Sequence, residues 1–450
     1  MELFKYKKKR LTSFQIIILG FLIVILTGSI LLMLPFSARN GKITPFADAV
    51  FTATSATCVT GLVVHDTATY WSAFGQAVIL LLIQIGGMGV VTIAVSLAAI
   101  SGRKIGLMQR STMQEAIAAP NVGGIVRLTG FILKATILIE LTGALLMLPV
   151  FCKDFGVLKG IWYALFHAIS AFCNAGFDLM GSVEQFSSLT GYGANGIINV
   201  VIIGLIIIGG IGFLTWDDVK CNGIHMKKYR MQSKVVLIMA VLLIVFPFLF
   251  FFFGEFGRET WKNMTVGEKI LSALFQAVTP RTAGFNTVDL TMFSEAGQTI
   301  ITILMLIGGS PGSTAGGMKT TTVAVLFMTL FAVFKRKEDT ECFGRRIDEG
   351  AIKYAATILL MYLTLFLAGG ITISCIENLP IRICLFETAS AIGTVGLTLG
   401  VTPRLGAVSR LILIVLMFLG RVGGLTLIFA ALSGKQRNVS KLPKEKITVG

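Results

Sequence analysis

Apolar stretches long enough to cross a lipid bilayer recur from one end of the chain to the other. Three of them occupy residues 14–34, 235–253 and 411–432. A helix of about 20 apolar residues spans the hydrocarbon core of a bilayer. Only 14% of the 450 residues are charged, whereas soluble domains carry about 25% charged residues. The chain is therefore predicted to be a polytopic integral membrane protein.

Basic residues give the chain a formal net charge of +16, and their distribution predicts its orientation. They cluster at residues 5–10, 103–110, 220–234, 335–353 and 435–446. Cytoplasmic segments of membrane proteins carry an excess of Lys and Arg. We therefore expect a multi-pass protein of the plasma membrane with both termini in the cytoplasm. On this interpretation membrane lipid is a partner and nucleic acid is not.

The cysteines and histidines show no pattern typical of a metal site or a disulfide framework. The sequence has seven Cys, an odd number without Cys-x-x-Cys spacing, and only three His. It also lacks a nucleophile–base pair and a carboxylate dyad. We predict that the chain is not an enzyme and that it binds no cofactor of its own.

The basic clusters divide the chain into four blocks of about 110 residues, which is the signature of an internal repeat. We predict repeats at residues 1–110, 111–230, 231–345 and 346–450, the first with a basic N-terminal tail and the last with a basic C-terminal tail. Each holds a long apolar helix, a short apolar run ending in a glycine-containing loop, and a second long helix with its own glycine cluster. The short runs cannot span a bilayer. The predicted fold is all-α, with eight transmembrane helices and four re-entrant half-helices around a pseudo-fourfold pore.

The glycines that end the four short runs are Gly61, Gly176, Gly284 and Gly396. Non-helical backbone at membrane depth persists only where protein buries it or it lines a water-filled cavity. Four such loops around one axis would supply rings of backbone carbonyls that replace the hydration shell of a cation. The partly negative C-terminal ends of the half-helices would favour a cation at the same place. The alternative, that these glycines only aid tight helix packing, accounts poorly for a fourfold repetition.

The second long helix of the third block contains the sequence GGSPGSTAGGMK at residues 308–319. Proline removes a backbone donor, and each glycine destabilises a helix by about 1 kcal/mol relative to alanine. We expect the helix to break there, just below the glycine loops, and only this second helix to be grossly interrupted. A phosphate-binding loop is not favoured, because Met318 separates Gly317 from Lys319 and no strand precedes the segment.

Arg421 lies in the middle of the apolar residues 411–432. An ionised side chain at this depth requires a cavity or a partner, and the five donors of arginine suit the exposed carbonyls of a broken helix. Arg421 would then hold the broken segment closed, repel cations, or do both. The alternative, an arginine that snorkels to the membrane interface, is less compatible with its central position.

The fourfold pattern of helix, pore loop and helix, with one glycine in each loop, resembles the Trk/Ktr/HKT superfamily of potassium transporters. Over essentially the whole chain it is most similar to the membrane subunit of Ktr systems. The resemblance implies a K⁺-translocating subunit that forms a homodimer on a cytoplasmic ring of nucleotide-binding regulatory subunits (KtrA-like). Any nucleotide would be bound by that partner. Whether Na⁺ is coupled to K⁺ or only regulates its uptake stays open, as does the rival interpretation of an alternating-access cation symporter, although such carriers usually show inverted repeats.

The resemblance also implies two sets of site residues. The filter that binds K⁺ would consist of Val59, Thr60, Gly61, Asn174, Ala175, Gly176, Thr282, Ala283, Gly284, Thr394, Val395 and Gly396. The gate below it would consist of Gly308, Gly309, Ser310, Pro311, Gly312, Ser313, Thr314, Ala315, Gly316, Gly317, Lys319 and Arg421. Glycine at all four filter positions favours K⁺. Only the fourth loop matches the Thr-Val-Gly of potassium channels, and the third block is one residue shorter ahead of its glycine, so we expect a less regular filter.

Overall fold

A computed structural model describes residues 12–100, 105–119 and 123–423 of the chain. The terminal basic clusters at residues 5–10 and 435–446 lie outside these residues, as do Arg103 and Gly424. The described part is built almost entirely from helices: α1 (Ser13–Met33), α2 (Phe46–Thr57), α3 (Thr67–Tyr70), α4 (Ala73–Met88), α5 (Val90–Ile100), α6 (Leu107–Ile117), α7 (Ile125–Phe155), α8 (Val157–Phe172), α9 (Gly196–Gly210), α10 (Phe213–Asn222), α11 (Met231–Leu249), α12 (Val266–Val278), α13 (Glu295–Leu306), α14 (Thr320–Phe334), α15 (Glu349–Glu377), α16 (Ile381–Gly393) and α17 (Ala407–Val422).

Two small features depart from regular α-helix. Helix α11 continues as a π-helical segment, Phe250–Glu255. Between α14 and α15 the chain forms a short antiparallel hairpin of two strands, β1 (Glu341–Cys342) and β2 (Arg345–Arg346). The hairpin lies in the basic segment at residues 335–353. The described part is therefore mainly helical, as predicted, with one short hairpin of two strands.

Four of the described helices are long and apolar enough to cross a membrane by themselves. They are α1, α7, α11 with its π-helical extension, and α15. Each is the first long helix of one predicted repeat. Only about a third of the residues in these spans are buried inside the protein, so the four helices form the periphery and leave a broad apolar face for lipid.

The second long helices of the first, second and fourth blocks break or end at glycine. Helix α4 stops before Gly89, and α5 leaves at an angle of 95° to it. Helix α9 stops before Gly212, and α10 leaves at the same angle. Helix α17 stops before Gly423. These glycines have φ values of 86°, 91° and 86°, which residues with a Cβ rarely adopt. The prediction that only the third block is interrupted is therefore wrong.

The four short helices α2, α8, α12 and α16 lie at the centre of the protein. Their C-terminal halves are almost completely buried, and every residue of α16 from Phe386 to Gly393 is buried. Helix α12 begins with a capping box, in which the Thr265 hydroxyl accepts from the Glu268 amide and the Glu268 carboxylate accepts from the Thr265 amide. The core therefore surrounds the point where the four short helices end.

Candidate functional site

The loops that follow α2, α8, α12 and α16 meet in a closed ring of glycines. A Cβ built on any of these glycines would come within 2.8 Å of a carbonyl oxygen in the next loop, belonging to the residue just before that loop's glycine. The four contacts join Gly61 to Ala175 O, Gly176 to Ala283 O, Gly284 to Val395 O, and Gly396 to Thr60 O. They run through the loops in chain order and return to the first. The ring therefore has no room for a side chain at any glycine.

All four loops share one alternation of φ despite their different sequences. The first residue of each triplet has a positive φ, the middle residue does not, and the glycine does. The values are 57° and 91° for Val59 and Gly61, 58° and 67° for Asn174 and Gly176, 65° and 78° for Thr282 and Gly284, and 52° and 94° for Thr394 and Gly396. The divergence of the side chains in the first three loops thus leaves the backbone pattern intact.

The missing residue of the third block is absorbed before the ring. The middle amides of the other triplets bond to the fifth preceding carbonyl, as the Val395 amide does to Ser390 O at 2.8 Å. The Ala283 amide instead bonds to the fourth preceding carbonyl, Thr279 O, at 2.9 Å. Because the deletion shortens this turn alone, Gly284 still contacts the next loop as its three counterparts do.

A hydroxyl side chain supports each loop, and the sequence analysis missed this feature. The hydroxyls of Ser55 and Ser390 accept from the amides of Gly61 and Gly396 at 3.1 and 3.0 Å. In the other two loops the hydroxyl donates to the carbonyl just after the glycine. These bonds join Ser170 to Phe177 O, at 2.7 Å, and Thr279 to Phe285 O. This support is visible in the sequence as a Ser or Thr that stands five or six positions before each ring glycine.

Two longer polar side chains hold the backbone that leaves the ring. Glu387 accepts from the Leu399 amide at 3.0 Å, and His167 accepts from the Leu179 amide through Nε2 at 3.3 Å. The assignment of the His167 proton to Nδ1 follows from its contact with Tyr163 O. Both side chains precede the ring glycine of their block by the same interval and bond to the same position after it. They are equivalent supports in the second and fourth blocks.

The glycine clusters of the second helices pack against the ends of the short helices. A Cβ on Gly86, Gly209 or Gly420 would strike a carbonyl oxygen in the last turn of the short helix of its own block. The oxygens are Thr57 O, Phe172 O and Ile392 O, respectively. The small residues thus permit the close approach that is common between transmembrane helices. These contacts fix the end of each of these three short helices against the second long helix of its block.

In the third block, residues 307–319 form an irregular loop between α13 and α14, which we call the third-block loop. The Gly308 amide bonds to Met318 O at 2.8 Å, and the Thr320 amide bonds to Gly309 O at 3.0 Å. Gly312 and Gly317 have φ values of 63° and 67°. The two ends of the loop are therefore fastened to each other, and the segment folds back toward the centre of the protein.

The third-block loop touches the second and fourth loops of the ring. The Thr314 hydroxyl donates to Phe172 O at 3.0 Å, and it lies 3.3 Å from the side-chain oxygen of Asn174. A Cβ on Gly316 would strike the hydroxyl of Thr394. Because Asn174 and Thr394 open their triplets, the third-block loop lies against the ring on the side where the short helices end.

Two basic side chains bind backbone carbonyls at the third-block loop. One guanidinium nitrogen of Arg421 donates to Thr314 O, and the other donates to Gly86 O and, at 3.0 Å, to Gly87 O. Lys319 donates to two carbonyls of the same loop, the nearer at 2.8 Å. Among the described residues neither cation forms an ion pair. Arg421 therefore ties the third-block loop to the end of α4.

A cavity of about 380 Å³ lies on the other side of the third-block loop. Its lining includes Pro311, Lys319 and Arg421, together with Phe14 near the start of α1 and Glu115 of α6. None of the ring glycines lines it. The third-block loop thus separates the ring from this cavity. Within the described residues, no group of three or more His, Cys, Asp or Glu side chains could hold a metal ion.

Known proteins share this sequence and this fold. A family model described as "TrkH: Cation transport protein" matches residues 3–441. The chain is 41% identical to the potassium/sodium uptake protein NtpJ of Enterococcus hirae over 99% of both chains. It is 39% identical to the Ktr system potassium uptake protein B of Bacillus subtilis, over 98% of this chain and 97% of that protein. The potassium transporter TrkH from Vibrio parahaemolyticus has a similar fold, with a TM-score of 0.72 over 96% of this chain and 86% of that chain, at 21% identity.

Proposed function

Because the chain belongs to the TrkH family of cation transport proteins, we propose that it takes up K⁺ through a pore enclosed by its own four repeats. Membership of this family confirms the resemblance inferred from the sequence and the prediction of a transporter rather than an enzyme. One relative is named for potassium/sodium uptake and the other for potassium uptake. The observation that carries the proposal of a pore is the closed ring of glycine loops.

In this proposal the ring is the selectivity filter. The backbone carbonyls of residues 59–61, 174–176, 282–284 and 394–396 replace the water around a K⁺ ion, since a ring of carbonyls can substitute for a hydration shell. Two observations support this role: the shared alternation of φ in the four triplets and their contacts around one closed ring. The shared alternation of φ also argues for a more regular filter than the divergent sequences suggested.

The gate in this proposal consists of residues 308–317, Lys319 and Arg421. The third-block loop lies between the ring and the 380 Å³ cavity, so an ion leaving the ring on that side would meet it first. Arg421 holds this loop through the carbonyl of Thr314. Its positive charge also repels a cation on the same path. Opening then requires the loop to move away from Arg421 and from the ring.

The proposed architecture has four repeats at residues 1–110, 111–230, 231–345 and 346–450. Each contributes two membrane spans, which gives eight transmembrane helices, and one short helix that enters from outside and stops at the ring. In the first two repeats the second span consists of the bent pairs α4–α5 and α9–α10. The positions of the basic segments support cytoplasmic termini in a multi-pass protein of the plasma membrane.

The proposed assembly is a homodimer on a cytoplasmic ring of nucleotide-binding regulatory subunits. A relative named as a component of a Ktr system supports the existence of further components. The basic segments at residues 220–234 and 335–353 supply cytoplasmic surface for such a partner. This chain transports K⁺ and holds no cofactor in the proposal, so any nucleotide acts through the partner.

Tracer uptake tests the proposed function and its dependence on Na⁺. The chain is expressed alone in cells deficient in K⁺ uptake and is also reconstituted in liposomes, where ⁸⁶Rb⁺ entry is followed with and without Na⁺. We expect entry driven by the membrane potential in the absence of Na⁺, competed by K⁺ and not by Na⁺. A fixed Na⁺:K⁺ stoichiometry with no flux in the absence of Na⁺ would instead establish an alternating-access symporter and refute the pore.

The hydroxyl supports provide a specific test of the filter. Ser390→Ala leaves the Gly396 amide without its acceptor, and an unsatisfied buried amide costs about 1–3 kcal/mol. We expect K⁺/Na⁺ selectivity, measured from reversal potentials in bilayers, to fall roughly tenfold. The matched control is Thr388→Ala on the same helix, because the Thr388 hydroxyl donates to carbonyls of its own helix, Cys384 O and Leu385 O. Equal selectivity in the two variants would contradict the filter assignment.

A further inference from the structure

A second cavity, of about 430 Å³, lies between α4 and α8, away from the ring. Its border includes Arg39, which follows the outer end of α1, and Lys159, which lies in the first turn of α8. The proposed orientation places both residues at the outer surface of the membrane. The cavity therefore joins the first and second repeats at the level where lipid headgroups lie.

The charge of this cavity is uncompensated. Neither Arg39 nor Lys159 forms an ion pair with any described residue, and no carboxylate lines the cavity. Toward the described residues, the guanidinium of Arg39 donates only through Nε, to Trp71 O at 3.3 Å. Both side chains are exposed, and two like charges on the border of one cavity attract an anion between them. The cavity is therefore suited to an anionic ligand.

Neutral side chains give the cavity the character of a membrane interface. Trp162 donates through Nε1 to the side chain of Gln76 at 2.9 Å, and the Tyr163 hydroxyl donates to Ser182 at 3.1 Å. All four residues line the cavity. Trp and Tyr are enriched where headgroups meet the hydrocarbon core. Because these polar groups are bonded to one another, the wall is fixed before any ligand enters.

One wall of the cavity is apolar. Ala73 and Ala77 lie one turn apart on α4 and line it with methyl groups. Large apolar side chains on the same two helices are exposed beside it, including Phe74 on α4 and Leu158 and Ile161 on α8. Small residues flanked by larger apolar ones form a groove of the kind that accepts an acyl chain.

We propose that this cavity binds an anionic phospholipid of the outer leaflet, with its phosphate between Arg39 and Lys159 and one acyl chain along Ala73 and Ala77. Lys159 lies in the first turn of α8, and the partly positive N-terminal end of a helix also favours an anion nearby. The lipid bridges the connection after α1 to the start of α8. It therefore stabilises the contact between the first and second repeats.

Native mass spectrometry of the full chain tests this site with phosphatidylglycerol and phosphatidylcholine as probes. We expect the wild-type protein to retain phosphatidylglycerol in preference to phosphatidylcholine, and the double variant Arg39→Gln/Lys159→Gln to retain at least fivefold less of it. The control is Lys42→Gln/Lys262→Gln, which removes two exposed charges from outer connections outside the cavity. Equal retention by the two double variants would overturn the proposal.

Two further measurements separate the possible ligands and guard against unfolding. Millimolar inorganic phosphate should not displace the lipid, and displacement would identify a free-phosphate site instead. Ala77→Phe fills the groove without changing the charge, so we expect it to lower lipid retention as well. Phosphatidylglycerol should raise the melting temperature of the wild-type protein by several degrees and that of the double variant by clearly less. A folded Ala77→Phe variant with wild-type retention and an equal shift would refute the acyl-chain position.

Discussion

Replacing Gly396 by serine is expected to lower K⁺ uptake by a factor on the order of 100 or more. The new Cβ would strike Thr60 O and lie 3.0 Å from the Cα of Gly61, so the first and fourth loops would be forced apart. The φ of 94° adds backbone strain for any residue with a Cβ. The loss is measured as the initial rate of ⁸⁶Rb⁺ uptake in liposomes at matched protein content.

Gly400 provides the control for backbone strain alone. Its φ is 83°, and a Cβ at this position would meet no atom of the described residues within 4 Å. Gly400→Ala therefore carries a comparable conformational cost without the clash in the ring, and we expect it to transport K⁺ at a rate close to that of the wild-type protein. If Gly396→Ser transported K⁺ as well as Gly400→Ala does, with unchanged selectivity, the ring could not be the filter.

Replacing Arg421 by alanine is expected to raise the K⁺ flux through the unstimulated protein by about tenfold or more. The variant loses donors to Thr314 O, Gly86 O and Gly87 O. A hydrogen bond from a charged group contributes about 1.5–3 kcal/mol, and 1.36 kcal/mol corresponds to a factor of ten. The third-block loop would thus leave its position against the ring more often. The flux is measured in liposomes without any regulatory subunit.

Two variants separate the effect of the Arg421 hydrogen bonds from the effects of its charge and of losing any arginine on this helix. Arg421→Lys keeps the charge but replaces the two guanidinium nitrogens that bond to Thr314 O and to Gly86 O by a single ammonium nitrogen. We therefore expect a flux between those of the alanine variant and the wild-type protein. Arg410→Ala removes an arginine from the opposite end of the same helix, where it pairs with Asp48 at 2.8 Å. We expect Arg410→Ala to leave the unstimulated flux unchanged. A lower or unchanged flux in well-folded Arg421→Ala would contradict the gate role.

The positions of the four ring glycines could be predicted from the sequence because their geometry admits no other residue. A positive φ and a neighbouring carbonyl within contact distance together exclude a side chain, so glycine recurs at Gly61, Gly176, Gly284 and Gly396. The breaks after α4 and α9 could not be predicted in the same way. Glycine clusters within apolar helices are also typical of simple helix packing, and only the φ of Gly89 and Gly212 distinguishes a break.

The hydroxyl supports were missed for a related reason. Ser and Thr in apolar helices commonly bond to a carbonyl of their own helix, as Thr129 does to Ile125 O at 2.9 Å. In the sequence of one short helix, Ser55 and Ser390 cannot be told apart from residues that bond within their own helix. The amides that donate to their hydroxyls lie beyond the end of the helix. Only a comparison of all four blocks at once reveals their common offset from the glycine.

The closure of the ring between its first and last loops has a consequence for biogenesis. Gly396 lies against Thr60 O, so the first loop acquires its second neighbour only when the final quarter of the chain has been synthesised. Membrane insertion proceeds from the N-terminus. The first three loops are therefore in the membrane before the fourth loop can close the ring. A nascent chain interrupted before α16 can have most of its helices in the membrane and still lack the contact that closes the ring.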